Sequence, residues 1–71
     1  MNTLIFKTNI ESKEDFDKIK NALSNKKQFA ECTIDLDDVD KVLRILSDKL
    51  TVPDVEEEVV EMGFYCKEIE E

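Results

Sequence analysis

The chain has 71 residues, 41% of them apolar and 39% charged, with 18 acidic and 10 basic side chains and a net charge of −8. That length fits one small domain spanning residues 1–71, and the acidic balance excludes the basic footprint of a nucleic-acid binder and the polybasic stretch of a membrane-surface protein. No apolar run approaches the ~20 residues of a membrane span and Met1-Asn2-Thr3 carries no signal-peptide pattern, so a soluble, cytoplasmic protein is expected.

Residues 3–9 alternate, with Leu4 and Phe6 on one side and Thr3, Ile5 and Lys7 on the other, the period of a half-buried strand. Ser12-Lys13-Glu14-Asp15 then reads as a capping box, the Ser12 hydroxyl and the Asp15 carboxylate each satisfying a free N–H of a helix start. Phe16, Ile19 and Leu23 form one helical stripe. Asn25-Lys26-Lys27 closes the helix, with Asn tolerating a left-handed terminal position and the lysines suiting the negative end of the dipole.

Residues 29–36 alternate again, as do residues 42–45, and the acidic stretch Asp37-Asp38-Val39-Asp40 between them makes the pair a hairpin. Thr51-Val52-Pro53-Asp54 is a second capping box, with proline where its missing N–H is harmless. Val52, Val55, Val59 and Met62 form the apolar stripe of a second helix, and Glu56, Glu57, Glu58 and Glu61 its solvated face. Gly63 supplies a left-handed stop, and residues 64–69 have strand character, with Glu70-Glu71 expected to fray. The order strand, helix, strand, strand, helix, strand, with right-handed crossovers, predicts an α+β, ferredoxin-like βαββαβ fold, a four-stranded antiparallel sheet with two helices on one face.

There is no His, and the two cysteines, Cys32 and Cys66, lie 34 positions apart. In the expected topology they occupy opposite sheet edges ~14 Å apart, too far for a disulfide or a shared ion. Both fall on the side facing the helices and read as buried free thiols. Asp35, Asp37, Asp38 and Asp40 invite a calcium reading, but counting from Asp35 puts Val39 fifth, Asp40 sixth and Leu46 twelfth, which fails the loop pattern at each position. No Gly-rich phosphate loop and no nucleophile–base pair with His is present, so the chain is not expected to be an enzyme.

Leu4-Ile5-Phe6-Lys7-Thr8-Asn9-Ile10 before a capped helix resembles the first strand and loop of heavy-metal-associated domains, the small modules of copper chaperones and metal ATPases. Ile34-Asp35, Val42-Leu43-Arg44-Ile45 and residues 55–62 followed by Gly63-Phe64 resemble that family's later strands and second helix, so the resemblance covers essentially the whole chain. It implies the same fold and a metal loop of two cysteines separated by two residues, with Ile10 as its buried anchor and Phe64 as the aromatic against it. Here Ser12 and Asp15 stand at the two cysteine positions. Soft monovalent copper selects thiolates, so the metal site and its cofactor are expected to be lost, leaving a helix cap.

The resulting expectation is a non-catalytic, metallochaperone-like interaction or regulatory module. It would dock through Ile10, Glu11, Lys13, Glu14 and Phe64 onto a protein partner with a basic surface, by contacts that salt weakens. The exposed sheet face and the edge strand around residues 31–35 offer a second surface, for weak self-association. The alternative is a small metal carrier in heavy-metal transport or detoxification using another ligand set, with Cys66, near the Phe64 turn, as its one candidate thiol.

Overall fold

A computed structural model describes residues 2–69. The elements are β1 (Asn2–Thr8), α1 (Lys13–Lys26), β2 (Glu31–Asp35), β3 (Val42–Ser47), α2 (Val52–Glu61) and β4 (Cys66–Glu68), in the order expected. The four strands form one sheet in the order β2-β3-β1-β4, and every neighbouring pair is antiparallel. Cys32 on β2 and Cys66 on β4 thus occupy opposite edges, and both are free thiols.

Alternation along the strands divides the sheet into two unlike faces. Phe6 and Thr8 of β1, Leu43, Ile45 and Ser47 of β3 and Cys32 of β2 are buried, while Lys7, Arg44 and Thr33 point the other way into solvent. The inner face joins Phe16, Ile19 and Leu23 of α1, Val55 and Val59 of α2, and Ile10 and Leu50 from the loops in one cluster of 11 buried side chains. Each such aliphatic or aromatic residue contributes ~1.5–3 kcal/mol by leaving water.

The two helix starts differ. At Thr51 both arms of the capping box close: its hydroxyl accepts from the Asp54 N–H at 3.4 Å and the Asp54 carboxylate accepts from the Thr51 N–H at 3.1 Å. At Ser12 the hydroxyl accepts from the Asp15 N–H at 3.1 Å, and the expected return bond from the Asp15 carboxylate is not part of the cap.

The helix ends differ too. Gly63 takes φ +89°, and the bonds from its N–H to the Val60 carbonyl (2.9 Å) and from the Phe64 N–H to the Val59 carbonyl (3.1 Å) form a Schellman motif, as expected of the Gly stop. For α1 the helix does close within residues 25–27 with Lys26 in its last turn, but the left-handed Asn is not used: Asn25 lies inside the helix and Lys27 caps it with extended backbone, φ −155°. What holds that end is charge across to the second helix: Lys26 Nζ lies 3.2 Å from Glu57 and 3.5 Å from Glu58, and Lys27 Nζ 2.9 Å from Asp54. The acids of α2 are therefore partly engaged with α1 rather than only solvated.

Two loop features were not anticipated. Lys41 is at φ +45°, because the β2–β3 turn folds back through bonds from the Lys41 N–H to the Asp38 carbonyl (3.1 Å) and from Lys41 Nζ to the Leu36 carbonyl (2.6 Å). Ser47 is buried at the end of β3, donating to the Gln28 carbonyl at 2.8 Å and accepting from the N–H groups of Lys49 and Leu50 at 3.0 Å. It ties the segment after α1 to the turn before α2. The last strand is shorter than residues 64–69, because the Gly63 turn and the half-buried Phe64 occupy its expected start.

Candidate functional site

Three segments meet at the end of the molecule where β1 finishes. The Thr8 N–H donates to the Asp40 carbonyl at 3.0 Å and the Thr8 hydroxyl to the Lys41 carbonyl at 2.6 Å, binding β1 to the acidic turn. The same hydroxyl accepts from the Ile10 N–H at 3.3 Å, and Asn9 Oδ1 accepts from the Tyr65 N–H at 2.7 Å, which fixes the start of β4 against the β1–α1 loop. Asp38 and Asp35 each accept a backbone N–H two residues on, at 2.8 and 3.1 Å, so the acidic turn is internally braced.

Of the residues read as a contact surface, Glu11, Lys13 and Glu14 are exposed on this end and Phe64 is half-buried beside them. Ile10 is wholly buried and belongs to the core, so it anchors the loop and presents no surface of its own. Sequence reasoning missed the exposed apolar side chains of the same end. Val39 projects from the acidic turn with 93% of its surface open, Tyr65 is 49% exposed and Met62 36%. The signal for Tyr65 was present in the Gly63-Phe64-Tyr65 order: one of two consecutive aromatics after a helix stop must face outward once the other packs.

Ser12 and Asp15, the two residues read from the resemblance as standing at cysteine positions, are both on this end. Ser12 offers a neutral hydroxyl already accepting the Asp15 N–H, and Asp15 is a half-buried carboxylate in the first turn of α1. One thiol comes near, since Cys66 pairs with Thr8 across β1 and β4. Burial first, and the neighbouring Glu56 charge second, push that thiol up to about 12. Cys32, at the far edge, is pushed up to about 11 by burial, with Lys20 pulling weakly the other way. Among the described residues no group of three or more Cys, Asp or Glu side chains is arranged to hold a metal ion.

Compared with models of known protein families, with curated proteins and with solved structures, the chain matches none, and nothing in those comparisons indicates a heavy-metal-associated domain. Among the described residues no helix is long and apolar enough to cross a membrane.

Proposed function

We propose that this chain is a non-catalytic interaction module, a ferredoxin-like βαββαβ scaffold similar to heavy-metal-associated domains in which the metal loop has become a helix cap. The observation that carries the reading is the 3.1 Å bond from the Asp15 N–H to the Ser12 hydroxyl. It commits the Ser12 hydroxyl to the α1 terminus and leaves at the second position only the Asp15 carboxylate, a hard donor. A serine hydroxyl and a single carboxylate supply neither the sulfur that copper(I) selects nor the six or more oxygens of a calcium site.

The braced end of the molecule is the docking surface in this reading. Tyr65, Met62 and Val39 are its apolar anchors, and Glu11, Glu14, Asp37 and Glu61 are exposed acids around them. Apolar anchors within an acidic rim suit a partner whose own rim is basic.

Amide NMR tests both halves of the proposal. Titration with copper(I), zinc and calcium should leave residues 10–16 unmoved, and stoichiometric uptake with shifts there would overturn the loss of the site. Titration with a short oligolysine peptide should move residues 9–14, 37–40 and 62–65, less so in Glu11→Lys/Glu14→Lys and at high salt. Shifts confined to the glutamates of α2 would overturn the placement.

A further inference from the structure

The outer face of the sheet carries a charge pattern unlike the rest of the molecule. Lys7, Arg44 and Lys67 project from β1, β3 and β4, against Glu31 and Asp35 on β2 alone. In a chain of net charge −8, the outward strand positions among the described residues carry three cations and two anions. Between the charges, Ile5, Val42, Leu46 and Ile69 are half-buried with no layer of the fold over them. The cations are also poorly served within the chain: Lys67 lies directly across from Lys7, a like-charge pair that destabilises a sheet. Lys7 is bridged to Asp40 at 3.2 Å, whereas among the described residues Lys67 and Arg44 have no ion pair.

We infer that this face pairs with the same face of a second copy, in a dimer whose two-fold axis runs along the strands between β3 and β1. Three observations select that occupant and that axis. First, the surplus acids of each copy lie on the helices and the braced end, so face-to-face pairing of the least acidic surface leaves the acidic ones outermost and farthest apart.

Second, the register decides between arrangements. An axis along the strands lays β2 over the partner's β4, so that Asp35 meets the partner's Lys67, twice by symmetry. An axis across the strands, or antiparallel pairing of β2 with β2 about Thr33, sets Glu31 against the partner's Asp35, two acids together. Self-association through the edge strand is therefore disfavoured by the charges that strand carries.

Third, shape and size fit. Thr3, Glu31, Thr33, Arg44 and Leu46 line a depression of about 270 Å³ on this face. In the first arrangement Arg44 lies over the partner's Ile5 and Thr33 over the partner's Ile69, so aliphatic side chains fill it. The molecule measures 27 × 26 × 18 Å, so its broad face has the size of the ~800 Å² per partner that a standard interface buries. Two twisted sheets stack face to face at ~10 Å with their strands within ~30° of alignment, the geometry this axis requires.

Sedimentation analysis from micromolar to millimolar concentration tests the dimer, with thermal melts to establish that each variant is folded. The wild type should dimerise, and Ile5→Lys and Lys67→Glu should each weaken the dimer by roughly tenfold or more. The double variant Asp35→Lys/Lys67→Glu should recover most of the loss, because it restores an opposite pair across the axis. Since Asp35 also holds its own turn, a mixed-label NMR sample gives a second reading: contacts between Ile5 of one copy and Arg44 of the other are expected. A wild type that stays monomeric throughout overturns the proposal. So does a dimer indifferent to Ile5→Lys, one that the double variant does not restore, or one lacking the Ile5–Arg44 contact.

Discussion

The strand β3 presents two molecules in one. Its inward residues, Leu43, Ile45 and Ser47, are almost wholly buried, whereas its outward residues, Val42, Arg44 and Leu46, range from half-buried to exposed. Chain neighbours thus sit in opposite environments, and a substitution's cost is set by which face it strikes rather than by the residue it removes. The difference teaches where the fold is held and where it is free to meet something else.

The sharpest way to break that comparison is Ile45→Ala against Leu46→Ala. Ile45 has no exposed surface and faces the core from a central position, so its truncation should cost about 2–5 kcal/mol, against about 1 kcal/mol or less for Leu46. Urea denaturation of the two variants in dilute solution measures both, and equal costs would mean that the outer face is covered even in the monomer. The polar member of the inner face comes next. Ser47→Ala strips the acceptor from the Lys49 and Leu50 N–H groups and the donor from the Gln28 carbonyl, and should lose about 1–3 kcal/mol by the same measurement.

The helix starts extend the comparison to a smaller scale. Thr51→Ala/Asp54→Ala removes both arms of a closed capping box and should cost more than about 1 kcal/mol, whereas Ser12→Ala removes one bond and should cost about half that, both read as shifts of the urea midpoint at constant slope. If Ser12→Ala were the costlier of the two, the cap reading of the β1–α1 loop would be wrong.

The last effect is a loss confined to alkaline pH. Both cysteines lie on the inner side of the sheet, and burial pushes Cys32 up to about 11 and Cys66 up to about 12 from an ordinary 9.0. The unfolded chain therefore loses these protons first. Their contribution is complete below pH 9.0 and declines as pH rises toward about 11. Thermal melts across that range should show the decline, and Cys32→Ala/Cys66→Ala should flatten it.

Much of the architecture was legible because local chemistry points to it. Ser12, Thr51 and Gly63 mark helix limits through backbone groups within a few residues, and Val55 and Val59 share a stripe fixed by helical period. The opposite placement of Cys32 and Cys66 followed from strand order alone. What escaped the sequence depends on segments meeting in space. The Lys26 and Lys27 bridges require the end of α1 to lie beside the first turns of α2, and the Ser47 hydroxyl becomes a hub only because Gln28 arrives beside it. At the docking end, Glu11, Lys13 and Glu14 were legible as surface, and Ile10, read both as a buried anchor and as a contact residue, is only the anchor. Tyr65 and Val39 emerge only once Asn9 and Thr8 fasten their segments in place.

The strand order has a consequence for how the protein is made. β1, first in chain order among these strands, occupies a central place in the sheet, yet its first hydrogen-bonding neighbour is residues 42–47 and its second is residues 66–68. It therefore waits, as an unpaired apolar segment, while most of the chain is synthesised. The helices form early from nearby residues, but the sheet closes only when distant segments come together, a topology that slows folding relative to a helical bundle of equal size. Assembly is in consequence late and all-or-none, and an N-terminal fragment ending before residue 42 has nothing on which to lay its central strand.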